Sequence, residues 1–391
     1  MKILIYRYGS ICEPDIIEAF RKLGLDTAEE KTEMENKNIS PAEQVRLTSK
    51  AIEKHNPLFV FSINFFPSVA EVCKLYGIKY ACWTVDAPVP ELFSSSIKQK
   101  TNRIFLFDRA QYERFASHNP KGIRHLPLAS AVERFDRVAA EVTEEDRVKY
   151  SSDISFVGSL YREKNPLNRL ELPEYETGYI RGMVEASLKV MGYNFMEEVI
   201  TEEVIQAIKK ADTGFYQVKD SVEDCSRYVA AHEYVGMQAA ETERIRTLNT
   251  LAEYFKVDLY TRSDPSALKN VQVHGGIKTL SEMPKVFHLS KINLNMTIKP
   301  IQTGLPLRIF DILGCGGFLM TNYQQELSEY FEIGVDLEAY GSMEELVDKC
   351  AYYLEHEQER IRIALNGYEK VKKYHTYVNR MAEIIKCISE G

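Results

Sequence analysis

Short apolar runs alternate with amphipathic stretches through the first 150 residues. The run KILIYR is followed by EPDIIEAFRKLGL, in which apolar residues recur every three or four positions until a glycine. The runs LFVFSINF, KYACWTV, RIFLF and IRHLPL repeat the apolar pattern, and PSVAEVCKLYG and DRAQYERFASH lie between them with helical spacing. Because buried parallel strands are apolar on both faces and are joined by helices, the pattern predicts an α/β domain with a Rossmann-like sheet over residues 1–150.

A second set of strands begins at SSDISFVGSLYREKNP, after residue 150, and resumes at VDLYT, VQVHG, KINLNM and GGFLMT. Residues 166–255 between them are charged and have helical spacing, which predicts a helical insertion. The last fifty residues are also helical, with a predicted break at Asn366 and Gly367. These patterns predict a second parallel-sheet domain over residues 151–373.

The length, charge and cysteine content of the chain exclude several classes of protein. A chain of 391 residues exceeds one ordinary core, and its net charge of −8 argues against a nucleic acid partner, which needs dense Lys and Arg surfaces. The apolar start is too short for a signal peptide or a membrane span, so a cytoplasmic location is expected. The seven cysteines are scattered and the eight histidines are unpaired, so we expect buried thiols and no metal site.

Polar and glycine residues follow several strands of the second domain. Ligands of open parallel sheets bind at the carboxyl ends of the strands, so these residues are candidates for binding an anion such as phosphate. The turn FVGSLYREKN alone is equally well explained without a ligand, the polar groups at the other strand ends are singly more often surface charges, and a lone histidine is more often structural. Together, the cations at three strand ends favour an anion site. The candidates are Gly158, Ser159, Tyr161, Arg162, Arg262, His274, Gly275, Asn295 and Lys299.

The stretch GLPLRIFDILGCGGFLMTNY combines a cation and a carboxylate with apolar residues. Its spacing predicts a helix that begins near Pro306 and carries Arg308 and Asp311 on one face, preceded by Gly304 and Leu305. A local ion pair would explain the two charges. A bound polar ligand explains them better, because the helix is apolar and a buried strand follows it.

In the first domain, Asp86 ends an apolar strand beside Trp83 and before Pro88. A carboxylate in that place suits a general base or the cap of a turn, and the two interpretations are equally supported. Gly9 and Ser10 follow the first strand and are weaker candidates for the same side of the molecule.

The segments DISFVGSLYREKNP, SEMPKVFHLSKINLNMTIKPIQTGLPLRIFDILGCGGFLMTNY and HTYVNRMAEII resemble the CgeB-like glycosyltransferases, and WTVDAPVPEL and IRHLPLA resemble their N-terminal domain. The resemblance implies a GT-B fold, with two Rossmann-like domains facing a central cleft. It also implies a nucleotide-sugar donor on the C-terminal domain, an acceptor on the N-terminal one, and a last helix, about 374–391, that packs back on the first domain.

The same resemblance implies roles for single residues. Asp311 corresponds to the carboxylate that binds the donor ribose, and Arg308 lies beside the diphosphate as a catalytic cation. The chain departs from the wider pattern because the ribose carboxylate is usually Glu and because Thr303 stands where many retaining enzymes have a second carboxylate. Retention or inversion is therefore left open.

These observations predict a metal-independent glycosyltransferase of the hexosyltransferase type that moves a sugar from a UDP-sugar to a protein or glycan acceptor, with no cofactor. A nucleotide-sugar epimerase and a non-catalytic nucleotide-sugar-binding subunit of a glycosylation complex remain alternatives. The expected partners are the nucleotide sugar and the acceptor, and a homodimer stays an open alternative.

Overall fold

A computed structural model describes residues 1–390. The strands follow the apolar runs of the sequence, with two additional polar strands at sheet edges. They are β1 (Lys2–Tyr6), β2 (Asp26–Glu30), β3 (Phe59–Ile63), β4 (Lys79–Trp83), β5 (Asn102–Leu106), β6 (Ile123–His125), β7 (Ile154–Val157), β8 (Val257–Tyr260), β9 (Gln272–Val273), β10 (Ile292–Asn295), β11 (Leu319–Asn322) and β12 (Glu338–Tyr340).

Helices connect most of the strands. They are α1 (Glu13–Lys22), α2 (Thr32–Glu35), α3 (Pro41–His55), α4 (Pro67–Tyr76), α5 (Arg109–Phe115), α6 (Val132–Ala140), α7 (Glu144–Tyr150), α8 (Glu174–Ser187), α9 (Met196–Val199), α10 (Glu202–Ala211), α11 (Ser226–Val229), α12 (Gly236–Leu251), α13 (Met283–Leu289), α14 (Leu307–Gly314), α15 (Leu327–Tyr330), α16 (Met343–Glu355), α17 (Glu357–Tyr374) and α18 (Tyr377–Ser389). A π-helical turn, Ala230–Val235, joins α11 to α12, and short 3-10 helices include Pro90–Phe93 and Arg162–Lys164. Among residues 1–390, no helix combines the length and the apolarity that crossing a membrane requires.

The first sheet is parallel throughout, with the strand order β2-β1-β3-β4-β5-β6. Strands β3 and β5 are buried along their whole length, as expected for strands covered on both faces. The order reverses between β1 and β3, and the carboxyl ends of strands at such a switch point are where open α/β sheets bind ligands. The loops after β1, β3 and β4 are therefore the candidate ligand-binding loops of the first unit.

The second sheet is also parallel, with the order β12-β11-β10-β7-β8-β9, which is the strand order of a Rossmann sheet. Its switch point lies between β7 and β10. These two strands pair only at Ile154 with Ile292 and at Ser155 with Asn293, so their carboxyl ends are not joined to each other by ladder hydrogen bonds. The two parallel sheets confirm the predicted α/β class.

The chain folds as two compact units. The first contains Met1–Ala129, Val218–Cys225 and the chain from His375 onward, and the second contains Ser130–Gln217 and Ser226–Tyr374. Within the first unit, α18 packs against α1, and the N–H of Val222 donates to the carbonyl of Phe93 at 2.7 Å. The helices α6 and α7 pack on α13 in the second unit, so the first unit ends at residue 129, whereas the sequence pattern places the boundary near 150. All seven cysteines are buried.

The predicted break at Asn366 and Gly367 is wrong, because α17 runs through both residues and ends at Tyr374. Gly367 is needed for close packing instead. A Cβ at this position would lie 2.3 Å from the carbonyl oxygen of Asp336 and 2.7 Å from the Leu313 side chain. The glycine therefore lets α17 approach α14, the helix that carries Arg308 and Asp311.

We predict that Gly367→Ala lowers the free energy of unfolding by about 1–3 kcal/mol, because overpacking forces the backbone apart. The matched control is Gly178→Ala in α8, where a new Cβ meets nothing within 4 Å. That control should be neutral or should raise stability by about 0.5–1 kcal/mol, since alanine favours the helix. Urea unfolding of both variants checks this, and equal stability of the two would contradict the packing role of Gly367.

Candidate functional site

Arg244, on α12, bridges the two strands of the second unit's switch point. Its Nη1 donates to the carbonyl of Ser159 at 2.6 Å, and its Nη2 donates to the carbonyl of Met296 at 2.8 Å. The buried Nε has no hydrogen-bond partner in the described part of the chain. Sequence reasoning missed Arg244, because its position on a charged helix resembles that of its exposed neighbour Arg246.

The loop after β7 wraps around this guanidinium. Tyr161 adopts a left-handed backbone conformation with φ of 67°, and its ring centre lies 4.5 Å from the Arg244 guanidinium carbon. The N–H of Tyr161 donates to the hydroxyl of Ser159 at 2.8 Å. A Cβ on Gly158 would lie 3.1 Å from the Phe156 ring, so glycine suits this close approach. Gly158, Ser159 and Tyr161 thus form one loop beside Arg244.

Helix α14 begins at Leu307, as the sequence predicts, and carries the Arg308 and Asp311 pair. The Arg308 Nη1 lies 3.4 Å from the Asp311 Oδ2, and the guanidinium also lies over the Phe287 ring, 5.2 Å from its centre. Asp311 is buried, and Arg308 is partly buried. No side chain caps the first turn of α14, so its backbone N–H groups add to the positive potential.

Cations and carboxylates lie close together in this region. Burial lowers the pKa of the Arg244 guanidinium, and the positive charge of Arg308 lowers it further. Burial also lowers the pKa of Arg308, against the opposing effect of Asp311. Lys299 is a buried cation, and its charge opposes the rise that burial causes in the pKa of Glu243. The carboxylates of the region are Asp311, Glu243 and Glu163, which accepts from the Ser159 hydroxyl at 2.7 Å. The two guanidiniums are the groups here that suit an anion.

The other predicted cations are held by neighbouring groups or lie at the surface. The Arg162 Nη1 donates to the hydroxyl of Ser266 at 2.8 Å and lies 3.3 Å from the Asp264 carboxylate. Arg262 is exposed and covers Gly276, where a Cβ would lie 2.4 Å from the Arg262 side chain. Neither of these two guanidiniums forms a hydrogen bond to the carbonyls that Arg244 joins.

His274 follows β9 and is held by Asp258. Its Nε2 lies 2.6 Å from the Asp258 Oδ1, and its ring stacks on Tyr260 with centres 4.8 Å apart. The following Gly275 has φ of 64°, a left-handed conformation that favours glycine. The loop after β9 is therefore shaped by this histidine and glycine pair.

Four further predicted residues lie in the interior of the second unit. Asn295 donates to the hydroxyls of Thr297 and Thr321 at 2.9 Å each, and the Lys299 Nζ donates to the carbonyl of Val190 at 2.7 Å. Gly304 and Leu305 are buried just before α14. These residues hold the loop between β10 and α14 in place, with Lys299 tied to the helical insertion.

In the first unit, an exposed carboxylate is held at the switch point between β1 and β3. The Asp86 Oδ2 accepts from the Asn64 Nδ2 at 2.7 Å and from the Tyr8 hydroxyl at 3.2 Å. Burial raises the pKa of Tyr8, and the charge of Asp86 raises it further, so the hydroxyl keeps its proton. Burial and the same charge raise the pKa of Glu91, just after β4. Asp86 thus has ordered neighbours, while its side chain faces solvent.

The loop after β1 binds its own carboxylate. The buried Glu13 Oε1 accepts the N–H groups of Tyr8 and Gly9 at 3.0 Å each, and its Oε2 accepts from Arg7 at 2.8 Å. Loop amides at this place in a Rossmann sheet commonly bind a phosphate. Here the Glu13 carboxylate accepts their hydrogen bonds instead. Ser10 follows Gly9 in the same loop.

Trp83 lies in the core of the first unit and has no exposed surface. Its Nε1 donates to the carbonyl of Leu126 at 3.1 Å, and its ring meets Tyr377 edge to face. Trp83 therefore supports the strand that ends near Asp86. Across the two units, no three His, Cys, Asp or Glu side chains of residues 1–390 converge so that they could hold a metal ion.

The fold is similar to that of several solved structures. The Anabaena protein Alr3699/HepE in complex with UDP-glucose has a TM-score of 0.53 at 12% identity, with 100% of both chains covered. Sucrose-phosphate synthase from Thermosynechococcus elongatus has a TM-score of 0.54 at 10% identity, covering 99% of this chain and 98% of its own. UDP-GlcNAc 2-epimerase from Neisseria meningitidis bound to UDP-GlcNAc has a TM-score of 0.51 at 9% identity, with 100% of both chains covered. The chain thus has the GT-B fold, with two Rossmann-like units.

The sequence itself matches one family model. Residues 244–386 match the family described as glycosyl transferase-like, a segment that begins at Arg244 and contains Arg308 and Asp311. No curated protein matches the chain. The part of the chain that is similar to this family thus supplies Arg244, Arg308 and the β10 side of the second unit's switch point.

We predict that Arg244→Lys lowers the free energy of unfolding by about 1.5–3 kcal/mol, because an ammonium cannot span the two carbonyls that the guanidinium joins. Arg246→Lys on the same helix is the matched control. Arg246 is exposed and pairs with Glu185, so its substitution should change stability by at most about 0.5 kcal/mol. Thermal and urea unfolding measure both, and equal effects of the two substitutions would refute the bridging role.

Proposed function

We propose that this protein is a glycosyltransferase that transfers a sugar from a UDP-sugar to a hydroxyl group of a protein or glycan acceptor. The observation that carries the proposal is the pair of partly buried guanidiniums, Arg244 and Arg308, beside a carboxylate at the Rossmann switch point. The match of this segment to a glycosyl transferase-like family supports it. So do the bound UDP-glucose and UDP-GlcNAc that two structures of the same fold contain.

The second unit would hold the donor. Asp311 would accept two hydrogen bonds from the ribose hydroxyls, since an ionised carboxylate is an acceptor only. Arg308 and the first turn of α14 would face the diphosphate, and Arg244 would add positive charge from the other side of the switch point. These cations would stabilise the negative charge that develops on the leaving diphosphate, so the proposed mechanism needs no metal ion.

The first unit would hold the acceptor, with Asp86 as the general base. The acceptor hydroxyl would give its proton to Asp86 while its oxygen forms a bond to the anomeric carbon of the sugar. The bond from that carbon to the diphosphate oxygen would break, and its electron pair would leave with UDP. We further propose that the protein is CgeB-like, of the hexosyltransferase type, and cytoplasmic.

A nucleotide-sugar epimerase is the second candidate, because the Neisseria meningitidis UDP-GlcNAc 2-epimerase shares the fold. A panel of UDP- and GDP-sugars, incubated with the protein and followed by NMR and mass spectrometry, separates the possibilities. Release of UDP, with transfer when an acceptor is supplied, supports the transferase. Isomerisation of the donor without release supports the epimerase, and binding without any turnover supports a non-catalytic subunit.

We predict that Asp311→Asn folds normally but weakens UDP binding by about one to two orders of magnitude, because each charge-assisted hydrogen bond contributes about 1.5–3 kcal/mol. Titration calorimetry with UDP and with its 2′,3′-dideoxy analogue measures this effect. The analogue lacks the ribose hydroxyls, so the substitution should weaken its binding much less.

Asp348→Asn is the control for this prediction, because Asp348 is an exposed carboxylate on α16 of the same unit. It should bind UDP as the parent does. If Asp311→Asn binds UDP normally but melts well below the parent, Asp311 serves only as the ion-pair partner of Arg308.

We predict that Asp86→Asn reduces transfer at least a hundredfold and leaves UDP affinity within about twofold, because an amide cannot accept the acceptor proton. Asp26→Asn, an exposed carboxylate on the edge strand β2, is the control and should transfer normally. Steady-state turnover and UDP titration measure both variants. Unchanged turnover of Asp86→Asn would reduce Asp86 to a turn residue.

A further inference from the structure

Asn64 stands at the end of β3, beside the switch point of the first sheet, in an unusual backbone conformation. Its φ of 58° is left-handed, which asparagine tolerates better than most residues that carry a side chain. The backbone on both sides is fixed, because the Asn64 N–H donates to the carbonyl of Trp83 at 2.9 Å and the hydroxyl of Ser62 donates to the Asn64 carbonyl at 2.7 Å. The side chain therefore has a defined direction.

The amide of Asn64 uses both of its ends. Its Oδ1 accepts the N–H of Val85 at 3.0 Å, which sets the orientation of the amide. Its Nδ2 then donates to the Asp86 Oδ2 at 2.7 Å and to the Tyr8 hydroxyl oxygen at 3.0 Å. Since Val85 precedes Asp86, the one side chain holds both the backbone and the carboxylate of this segment.

The two oxygens of the Asp86 carboxylate are in different environments. Oδ2 accepts two hydrogen bonds, from the Asn64 amide and the Tyr8 hydroxyl. Oδ1 has no hydrogen-bond partner among residues 1–390, and the side chain is exposed. A carboxylate held through one oxygen presents the other in a fixed direction.

We propose that Asn64 is a positioning residue that orients Asp86, so that Oδ1 accepts the proton of the acceptor hydroxyl. The inference rests on the proposed function and adds to it the atom that receives the proton and the side chain that directs it. During transfer the hydroxyl proton passes to Oδ1, the acceptor oxygen bonds to the anomeric carbon, and UDP leaves with the electron pair of the broken bond. The bonds from Asn64 and Tyr8 to Oδ2 persist through this step.

The titratable groups around Asp86 come from three segments. The Tyr8 hydroxyl faces it from the loop after β1, and the charge of Asp86 raises the pKa of Glu91, in the 3-10 helix Pro90–Phe93. Lys37 lies over the Tyr8 ring, 5.3 Å from its centre, and also donates to the Tyr8 carbonyl. Among these neighbours, only Asn64 and Tyr8 donate directly to the carboxylate.

The decisive variant is Asn64→Asp, which keeps the shape and the tolerance for left-handed φ but places a second carboxylate against Oδ2. Two carboxylates in contact disfavour ionisation of both, so the acidic limb of the pH profile of kcat should move up by about one pH unit. The affinity for UDP should stay within about twofold, because the donor is assigned to the other unit. A moved limb shows that the carboxylate in contact with residue 64 is the titrating base, and the kcat of Asn64→Gly then decides whether the amide positions it.

Asn56→Asp is the matched control, because Asn56 is also left-handed, with φ of 42°, and exposed in the same unit. Its pH profile should match that of the parent. If Asn64→Asp does not fold, Asn64→Gly keeps the backbone conformation and removes the amide. That variant should lower kcat about tenfold with UDP affinity retained, in keeping with the loss of an oriented catalytic group.

The outcomes separate this inference from the proposed function. An unmoved limb in Asn64→Asp, or a parental kcat in Asn64→Gly, overturns the positioning role even when Asp86→Asn is inactive. Full activity of Asp86→Asn would show that Asp86 is not the base, and Asn64 would then have no base to orient. A parent that turns over no nucleotide sugar overturns both the proposed function and this inference.

Discussion

The hydrogen bonds from Arg244 to the carbonyls of Ser159 and Met296 are the constraint on which the second unit's site depends. The ladder between β7 and β10 ends at Asn293, so the strand ends diverge and their carbonyls need another donor. A guanidinium can donate to both because its N–H groups point in fixed directions. The same guanidinium places its positive charge beside the loops that follow the two strands.

That positive charge gives the two units different chemistry. The second unit holds the partly buried Arg244 and Arg308 close enough for the charge of Arg308 to lower the pKa of Arg244, and an anionic ligand would offset this repulsion. In the first unit, the loop amides of Tyr8 and Gly9 are already bound to Glu13. In the first sheet, the loop amides that commonly bind a phosphate therefore hold the protein's own carboxylate, and Asp86 is exposed nearby.

The apolar pattern predicted the buried strands and α14, because those signals are local. It missed the edge strands β2 and β12, whose sequences DTAEE and EAY lack an apolar run. The surroundings of the individual site residues depend on long-range contacts, which a local sequence pattern does not contain. Nothing near Arg244 in the sequence distinguishes it from Arg246, and the hydrogen bond from Lys299 reaches Val190, more than one hundred residues away. The proposed role of Asn64 likewise depends on contacts with Val85 and Asp86, in the loop after the next strand.

The switch point of the second unit is the site at which we propose that the nucleoside diphosphate binds. Hydrogen exchange of the whole protein with and without saturating UDP, read by mass spectrometry, tests it directly, because backbone amides that bind or border the ligand exchange more slowly. We expect slowed exchange in peptides covering residues 158–164 and 297–311, with no change in residues 7–13. Protection of residues 7–13 alone, with unchanged exchange in the other two segments, would contradict it.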